Sequence, residues 1–439
     1  MKILREIKNN ELYYNGFNLK TLAKKYGTPL KVTFLDVIKE HITSLKADFD
    51  KAIKDSNYPA KFIYLNANKA NYGKEEIMTA YSVADGLETS SYYDLLLSSR
   101  MMIENNDKTK YLVPNGYKPK EYIDEILKIN ELGFNIIDII DSKEEYLYLK
   151  EKNVKLNVGL RIHVKALYSE EGDVIENDRF GLNDEEFNFI IDDLKNTKLN
   201  LTTIHFHQRG FDYEKDKFEE NFNKVLKYYI KAKKLYPTVV NYDIGGGMPL
   251  PVSEGFNYYE FAKGIFEVLL KTCKENNIDA PNIISENGKF SQKDSTVNIY
   301  KVVGIKNTDK YPWNIVDGSL LIALPEMYAL GEPILVMPIN NIGQNEYKAR
   351  LAGITCDCDD VYYLKDRGYI ELPKCDELYI GCIGTGSYQN SMNGKGGVHH
   401  CLLPEEKDLL IYKDKNGNIK EEIRHDLQSI NDVYKLIKY

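Results

Sequence analysis

The sequence predicts an α/β fold, a (β/α)8 barrel of the TIM type followed by a mostly β C-terminal domain. Between residues 61 and 285, eight strand patterns alternate with helical patterns, and strict alternation indicates parallel strands. Eight such units in about 230 residues match the size and strand number of this barrel, whereas an open doubly wound sheet usually has fewer strands. After Glu286 the alternation stops, and strand patterns follow without long helices between them.

The domain prediction follows from this change of pattern. Residues 33–290 are predicted to form the barrel, and residues 1–32 with 291–439 a β domain that completes the functional site. A chain of 439 residues needs more than one core, because a single core stops growing at about 250–300 residues. The N-terminal strand near Tyr13 is assigned to the β domain because a lone strand is not stable by itself.

The elements follow in chain order. Glu11–Tyr14 is predicted as a strand with a tight turn at Asn15-Gly16, and helical patterns follow at Leu19–Lys25 and Val37–Ile53. The barrel strands are predicted at Lys61–Asn66, Gly86–Thr89, Lys110–Val113, Asn135–Ile140, Lys155–Ile162, Leu201–His207, Thr238–Ile244 and Asn282–Ser285. The helices between them are predicted at Glu75–Val83, Tyr93–Glu104, Lys120–Leu132, Lys143–Lys152, Asp184–Leu194, Lys215–Leu235 and Tyr258–Asn276.

The β domain is predicted from short apolar runs and one strong turn signal. Its strands are predicted at Asp294–Val303, Asn314–Ala323, Pro333–Pro338, Tyr347–Thr355, Glu377–Ile383 and Leu409–Lys413. Lys415-Asn416-Gly417-Asn418 is a typical hairpin turn, so a second strand is expected to pair with the last of these.

Composition and charge argue against several classes of function. The net charge of −8 disfavours a nucleic-acid partner. No apolar run approaches the roughly 20 residues of a membrane span, and the first residues lack the apolar core of a signal peptide. Six cysteines without regular spacing suggest reduced thiols and a cytoplasmic location. We therefore expect neither nucleic acid nor a membrane as a partner.

Polar side chains lie where the predicted strands end, which is where (β/α)8 barrels carry their chemistry. They are Lys69 after the first strand, Arg161 and His163 at the fifth, His205 and His207 at the sixth, Asp243 with Gly245-Gly246-Gly247 at the seventh, and Glu286 at the eighth. Since parallel strands end at one mouth, these groups are expected to converge there. An amine at this position could form a Schiff base.

Each of these residues also has an interpretation without chemistry. Lys69 alone would be a solvated amine, Glu286 a salt-bridge partner, and either histidine a packed core residue. The glycine run could be only a tight strand-to-helix turn, although glycines also let backbone N–H groups approach a phosphate beside a helix N-terminus. It is not a dinucleotide fingerprint, because G-x-G-x-x-G is absent.

A possible metal site in the β domain is the segment Cys356-Asp357-Cys358-Asp359-Asp360. Two thiols among three acids suggest zinc, and His399-His400-Cys401 could supply further ligands. However, C-x-C lacks the usual structural spacing and no second pair partners it. We therefore expect no metal.

Taken together, these residues resemble the fold-type III pyridoxal-phosphate decarboxylases, which include the arginine, ornithine and diaminopimelate decarboxylases. The resemblance runs from about Leu12 to Ile411. Six motifs stand in the family's order. Asn66-Ala67-Asn68-Lys69-Ala70-Asn71 is similar to the cofactor-lysine motif, His205-Phe206-His207 to the histidine strand, and Tyr242-Asp243-Ile244-Gly245-Gly246-Gly247 to the phosphate loop. Ser285-Glu286-Asn287-Gly288-Lys289 is similar to the segment whose acid meets the pyridinium nitrogen, Cys356-Asp357 to the catalytic cysteine and its acid, and Tyr388 to the phosphate-side tyrosine.

Two positions depart from the family pattern. Gln208-Arg209-Gly210 stands where many members have Gly-Ser, and Lys289 stands where an arginine commonly helps to hold the phosphate. The resemblance therefore leaves open how the phosphate is held, and Arg209 could substitute.

The resemblance implies pyridoxal 5'-phosphate as the cofactor and a role for each site residue. Lys69 would bind the cofactor covalently, Glu286 would keep its ring nitrogen protonated, and His207 would stack on its ring. Residues implied to hold the phosphate are Gly245, Gly246, Gly247, Gly288, Lys289 and Tyr388. Cys356 would return a proton to the α-carbon, and Asp357 with Arg161 would bind substrate. In the family the cysteine loop reaches the neighbouring subunit's site, which implies a homodimer with shared active sites.

The expected reaction is decarboxylation of a basic amino acid. Asp357, among Asp359 and Asp360, suits a cationic tail, and the segment from Ala323 to Leu330 resembles one in arginine decarboxylases. The stretches from Gly384 to Gln389 and from Gly396 to Leu402 are similar to those of short bacterial arginine decarboxylases. L-arginine to agmatine, a step of polyamine biosynthesis, is the first expectation. Ornithine, lysine and diaminopimelate stay open, as do an amino-acid racemase and a non-catalytic homologue that binds the cofactor or a partner enzyme.

Overall fold

The computed structural model describes residues 4–164, 179–208, 215–251, 256–308, 310–362 and 368–438. The chain forms two compact units. One consists of residues 41–69 and 80–290, and is called the barrel unit below. The other consists of residues 1–40, 70–79 and 291–439, and is called the β unit. The two domains predicted from the sequence, with boundaries at residues 33 and 290, stay a prediction.

The secondary structure of the described residues is as follows. The strands are Arg5–Lys8, Glu11–Tyr14, Phe17–Asn18, Leu30–Phe34, Phe62–Ala67, Gly86–Thr89, Tyr111–Pro114, Asn135–Ile136, Asp138–Ile140, Asn157–Arg161, Asn200–His205, Asn241–Asp243, Asn282–Asn287, Thr296–Lys306, Trp313–Val316, Leu335–Pro338, Glu346–Ala352, Ile370–Pro373, Tyr379–Ile383, Lys407–Lys413 and Ile419–His425. The α-helices are Leu19–Tyr26, Leu35–Asp55, Lys74–Val83, Tyr92–Glu104, Lys120–Glu131, Lys143–Lys152, Asp184–Asp193, Lys215–Leu235, Tyr258–Asn276, Lys289–Gln292, Leu320–Ala323, Pro325–Leu330, Gln389–Asn393 and Ile430–Ile437.

The barrel unit contains the predicted parallel sheet. The strands pair in the order Asn135–Ile136, Tyr111–Pro114, Gly86–Thr89, Phe62–Ala67, Asn282–Asn287, Asn241–Asp243, Asn200–His205, Asn157–Arg161 and Asp138–Ile140, all parallel. Helices separate the strands along the chain, as right-handed parallel connections require. The predicted (β/α)8 barrel is confirmed, with strand bounds within a few residues of those predicted.

The fourth barrel strand is divided, and the division closes the barrel. Asn135–Ile136 pairs with the third strand, and Asp138–Ile140 pairs with the fifth. Between the two halves, the Ile137 N–H donates to the Leu112 carbonyl at 3.1 Å. The sequence pattern predicted one continuous strand because all six positions are compatible with a buried strand, and the change of partner has no sequence signal.

A buried cation lies beside this division. Lys118 Nζ donates to the Ile139 carbonyl at 2.6 Å and to Glu145 Oε1 at 2.8 Å, and lies 3.2 Å from Asp138 Oδ1. All three ionisable side chains are buried. Since a buried charge is tolerated only when it is paired, this cluster ties the loop after the third strand to the second half of the fourth.

The β unit is built on a second sheet. Its order is Ile370–Pro373, Glu346–Ala352, Trp313–Val316, Thr296–Lys306, Leu30–Phe34, Lys407–Lys413 and Ile419–His425, with Tyr379–Ile383 paired to both Thr296–Lys306 and Leu335–Pro338. The hairpin predicted around Gly417 is confirmed by the antiparallel pairing of the last two strands in this order. Leu30–Phe34 was not predicted as a strand, and it crosses the predicted boundary at residue 33.

The N-terminal strand belongs to the β unit, as predicted. Glu11–Tyr14 lies in a separate three-stranded sheet, but the Leu12 N–H donates to the Ile339 carbonyl at 2.9 Å. Leu12 and Tyr14 pack in one core with Val297. Packing thus joins this strand to the β domain, while Leu30–Phe34 provides the sheet pairing.

One predicted strand is wrong in part. Residues 314–323 were expected to be extended throughout, but strand Trp313–Val316 is followed by helix Leu320–Ala323. Ser319 caps this helix, since its Oγ accepts from the Ile322 N–H at 3.2 Å. The apolar residues within 314–323 suggested a continuous strand, although Gly318-Ser319 marks the start of a helix. In the described part of the chain, no helix is long and apolar enough to cross a membrane.

Candidate active site

Lys69 lies where the first barrel strand ends. The strand stops at Ala67, and Asn68–Ala70 forms a single turn of 3-10 helix. Asn68 anchors this turn, because its Oδ1 accepts from Asn66 Nδ2 at 2.8 Å and its Nδ2 donates to Ser98 Oγ at 2.8 Å. The Lys69 side chain is 41% exposed, and its Nζ lies 3.4 Å from Glu88 Oε1. The backbone of Lys69 is therefore held in place by its neighbours, while its amine is accessible to a ligand.

Glu286 is the buried carboxylate of the same mouth. Asn115 Nδ2 donates to Glu286 Oε1 at 2.7 Å, and His205 Nε2 lies 3.3 Å from Oε2. Burial would raise the pKa of Glu286, but His205, the Lys69 cation and the Asn115 amide together hold it below its ordinary value. Glu286 is thus an ionised carboxylate in a nearly dry environment.

The two predicted histidines have different surroundings. The sixth barrel strand ends at His205, so the two side chains are not positions of one regular strand. His205 is buried against Glu286, whereas His207 is half-buried and its Nδ1 accepts from the Gly246 N–H at 3.2 Å. Burial, aided by Lys69 and Arg161, lowers the pKa of His207 to about 3. His207 is therefore a neutral ring at the mouth.

The glycine run makes a turn that side chains would block. A Cβ on Gly246 would lie 2.2 Å from the Glu286 carbonyl, and Gly245 has φ +65°. The Gly245 N–H donates to Asp243 Oδ1 at 2.9 Å, and its carbonyl accepts from the Glu286 N–H at 2.9 Å. The turn thus packs tightly against the end of the eighth strand. Its role in holding a phosphate stays a prediction.

Three side chains of the mouth were missed from the sequence. Glu88 lies within the second strand, Asn115 directly follows the third, and Asp94 lies in the first turn of the helix Tyr92–Glu104. Burial raises the pKa of Glu88 to about 7 and that of Asp94 to about 6, against the opposing effect of Lys69. Glu88 stands inside a predicted strand that is fully buried, and a carboxylate within a strand pattern was a signal in the sequence.

The raised pKa of Glu88 gives a testable pH dependence. Its folded value of about 7 exceeds the reference 4.5, so between these pH values the folded state binds more protons than the unfolded state. Stability therefore falls as pH rises through this range. We expect Glu88→Gln to remove this fall and to raise the free energy of unfolding at pH 8 by about 3 kcal/mol, measured by urea denaturation of cofactor-free protein.

The matched control for this prediction is Glu104→Gln. Glu104 is an exposed carboxylate that pairs with Arg100 at 2.9 Å on the helix Tyr92–Glu104. Its replacement should change stability by less than about 0.5 kcal/mol at any pH. Equal pH profiles for wild type and Glu88→Gln would contradict the buried protonated state of Glu88.

Arg161 is already paired. Its Nη1 lies 3.1 Å from Asp141 Oδ1, and its guanidinium carbon lies 4.5 Å from the Phe180 ring centre. Both members of the ion pair are buried. A role of Arg161 in substrate binding stays a prediction, and the observed contacts are those of an internal ion pair.

The remaining predicted phosphate ligands of the barrel unit follow the eighth strand. Gly288 is buried, and Lys289 is half-buried at the first position of helix Lys289–Gln292. The alternative ligand Arg209, with Gly210, lies outside the described residues. Gln208, described and buried, accepts from Asn221 Nδ2 at 2.7 Å.

In the β unit, the structure separates the acids around the predicted catalytic cysteine. Cys356 is exposed, and Asp357 Oδ2 lies 3.4 Å from His400 Nε2. Asp360 is buried and accepts from the Leu321 N–H at 3.0 Å and from Thr355 Oγ1 at 2.7 Å. The Asp360 side chain therefore organises its own loop, and the expected roles of Cys356 and Asp357 stay predictions. Asp357 and Asp359 are left as the accessible acids of the segment.

Tyr388 also lies in the β unit. It has φ +62°, unusual for a tyrosine, and its N–H donates to the Ala70 carbonyl at 2.7 Å. Ala70 directly follows Lys69 in the chain. The preceding turn is tight, because a Cβ on Gly386 would lie 1.9 Å from the Gln292 carbonyl. The phosphate-side role of Tyr388 stays a prediction.

Comparison with known proteins identifies the family. A family model described as pyridoxal-dependent decarboxylase, pyridoxal binding domain, matches residues 39–292. The chain belongs to the pyridoxal-dependent decarboxylases. Pyridoxal phosphate is therefore its cofactor, as predicted.

Two curated relatives of this chain are named as biosynthetic arginine decarboxylases. A biosynthetic arginine decarboxylase of Prochlorococcus marinus strain MIT 9215 is 28% identical over 69% of this chain and 47% of its own length. The enzyme of the same name from strain AS9601 is 26% identical over 99% of this chain and 68% of its own length. The chain spans about half the length of several curated relatives that it matches.

Solved structures share the fold. The biosynthetic arginine decarboxylase of Campylobacter jejuni has a TM-score of 0.83 at 19% identity, covering 99% of this chain and 90% of the other. A diaminopimelate decarboxylase of M. jannaschii, in complex with L-lysine, has a TM-score of 0.79 at 21% identity, covering 98% and 96%. At these identities the similarity concerns the fold alone.

The residues present at the mouth fit the cofactor. Pyridoxal phosphate needs an accessible amine for its aldehyde and a carboxylate for its ring nitrogen. Lys69 and Glu286 have these properties. Among the described residues none donates to the buried Glu88 Oε2, so the mouth also contains an acceptor that the protein leaves unsatisfied.

Proposed function

We propose that this protein decarboxylates a basic amino acid, L-arginine to agmatine, with pyridoxal phosphate. The observation that carries the proposal is the combination of an accessible lysine amine and a buried ionised carboxylate at one barrel mouth, Lys69 and Glu286. The family match supports the reaction class, and the named relatives support arginine.

The proposed roles in the barrel unit follow from the contacts. When bound, pyridoxal phosphate supplies the electron sink that makes loss of carbon dioxide possible. Lys69 holds the cofactor through its amine. Glu286, kept ionised by its partners, holds the proton on the ring nitrogen. His207 is neutral, so its ring packs on the cofactor face without adding a competing positive charge. Gly245 to Gly247, Gly288 and Lys289 hold the phosphate, and the phosphate-side role of Tyr388, a residue of the β unit, is part of the same proposal.

The proposed roles in the β unit concern the substrate. Cys356 is exposed and returns a proton to the substrate α-carbon, and Asp357 binds the distal cation. We propose that these two residues act in the site of a second copy of the chain, so that the active unit is a homodimer with shared sites. Six cysteines without a disulfide among them support a reducing, cytoplasmic location.

Arginine is favoured over diaminopimelate by charge. Asp357 and Asp359 are accessible acids two residues apart, which suits a distal guanidinium and repels the distal carboxylate that diaminopimelate carries. Ornithine and lysine share the distal cation and are the alternatives that charge alone leaves open.

The experiment is a substrate panel. Protein reconstituted with pyridoxal phosphate is incubated separately with L-arginine, L-ornithine, L-lysine and meso-diaminopimelate, and released carbon dioxide and amine are measured. We expect agmatine, with a kcat/KM for arginine at least about tenfold above the others, the size of one differential contact. Removing the cofactor should abolish release, and adding it back should restore it.

Other outcomes of the panel have definite meanings. Preferred release from another amino acid would refute arginine but keep the reaction class. Loss of substrate chirality without carbon dioxide would indicate a racemase. No reaction with any substrate, despite bound cofactor, would indicate a non-catalytic homologue.

A further inference from the structure

Two thiols and an imidazole meet in the β unit although they are distant in sequence. Cys356 Sγ lies 3.4 Å from Cys401 Sγ, across a separation of 45 residues. The donor atoms of Cys356, His400 and Cys401 all lie within 4.8 Å of one another, and all three residues are exposed. The sequence argument against a metal was that no second pair partners Cys356-Asp357-Cys358. The fold brings His400 and Cys401 to that segment.

The spacing of these atoms fits a tetrahedral ion. With Zn–S bonds of about 2.3 Å, two sulfur ligands of one tetrahedral ion lie about 3.8 Å apart, so the two thiols need to separate by only a few tenths of an ångström. Thiolate and imidazole ligands together favour Zn²⁺ over Mg²⁺ or Ca²⁺. A set of two sulfurs and one nitrogen also leaves a fourth position for water.

Asp357 lies beside His400 and is positioned to accept a hydrogen bond from its imidazole. Its Oδ2 lies 3.4 Å from His400 Nε2, which leaves the other ring nitrogen for the ion. Histidines that bind metals generally donate their second N–H to a carboxylate or carbonyl, which fixes the ring and strengthens the ligand. The cluster therefore has both ligands and an outer partner.

The backbone is strained where it presents these ligands. Cys401 and Leu402 have φ of +56° and +51°, and neither is a glycine or asparagine. Such conformations cost about 1–3 kcal/mol each and persist where the surroundings require them. The turn His400–Leu402 directs Cys401 towards Cys356 at this cost.

We propose that Cys356, His400 and Cys401 bind one thiophilic divalent cation, Zn²⁺ by the chemistry of the ligands. Each thiol releases its proton to solvent and binds the ion as thiolate, and no electron is transferred. The further consequence rests on the proposed function: because Cys356 and Asp357 serve catalysis there, the bound ion inhibits decarboxylation. The cluster is then an inhibitory metal site.

Cobalt titration of the reduced holoenzyme tests the binding. Co²⁺ in a tetrahedral thiolate site gives d–d bands in the red part of the spectrum, where pyridoxal phosphate does not absorb. We expect one Co²⁺ per chain with such bands, displaced by Zn²⁺ with a dissociation constant of about 1 µM or lower. Cys401→Ser and His400→Asn should each weaken binding by at least about 100-fold, more than the loss of an outer partner costs.

The matched control is Cys358→Ser. Cys358 is an exposed thiol two residues from Cys356, but it belongs to a different group of potential ligands with Asp357 and Asp359. Its loss should change the affinity by less than about threefold. The proposal is overturned if wild type gives no red bands, if the bands survive in both ligand variants, or if Cys358→Ser alone removes them. Circular dichroism shows whether each variant is folded, and either ligand variant suffices.

Inhibition separates this proposal from the proposed function. Zn²⁺ should inhibit arginine decarboxylation in wild type and Cys358→Ser, and at least about tenfold more weakly in Cys401→Ser. If no amino acid is decarboxylated, the proposed function fails while the cobalt titration still decides the metal site. If decarboxylation is normal but cobalt does not bind, only the metal site fails.

Discussion

Lys69→Ala should lower kcat for arginine decarboxylation by more than about 1,000-fold, because the variant loses the amine proposed to bind the cofactor covalently. The Lys69 side chain is partly exposed and its Nζ lies 3.4 Å from Glu88 Oε1, so the amine is already positioned at the mouth. Agmatine formation and the visible absorbance of lysine-bound pyridoxal should be lost together.

The control for this variant is Lys74→Ala. Lys74 is an exposed lysine five residues further along, at the start of the helix Lys74–Val83. It should keep wild-type turnover and absorbance. A Lys69→Ala protein that is folded and retains both properties at wild-type level would refute the assignment of the cofactor lysine.

Glu286→Gln should lower kcat by about 100-fold to 1,000-fold, which is the usual effect of removing one preorganised electrostatic group. The amide keeps the volume of the side chain and can still accept from Asn115. It cannot carry the negative charge that holds a proton on the ring nitrogen. The KM for arginine should change little, since Glu286 is buried and its proposed partner is the ring nitrogen of the cofactor.

Glu286→Asp distinguishes charge from shape at this position. The shorter carboxylate keeps the charge but loses the fit to Asn115 and His205, so its kcat should lie between those of wild type and Glu286→Gln. If both variants lose activity equally, packing rather than charge is what the position requires. If neither does, the acid of the ring nitrogen lies elsewhere.

The barrel and the ends of its strands were predictable because alternation and strand length are local properties. Lys69 and His207 follow their strands and Glu286 is the next-to-last residue of its strand, and the ends of these strands were predicted within a few residues. Parallel strands bring such ends to one mouth. Glu88 was missed although the bounds of its strand, Gly86–Thr89, were predicted correctly. Its position within the strand, and not after it, gave no expectation that it would face the mouth.

The missed features depend on distant partners. The sequence does not show that Leu30–Phe34 has sheet partners on both sides, provided by strands Thr296–Lys306 and Lys407–Lys413. Likewise, the sequence does not show that the Leu321 N–H and the Thr355 hydroxyl donate hydrogen bonds to Asp360. Contacts between residues dozens of positions apart are decided by packing of the whole unit, which local periodicity does not encode.

The divided fourth strand has a consequence for how the barrel opens. Each half gives the closing sheet only two or three residues of pairing, and the buried contacts of Lys118 with Asp138 and Glu145 add a side-chain link between the loop after the third strand and the second half of the fourth. Local unfolding begins where few backbone hydrogen bonds must break. In native-state hydrogen exchange, the amides of 135–140 should therefore exchange before those of the first and eighth strands, making this seam the weakest cooperative unit of the barrel.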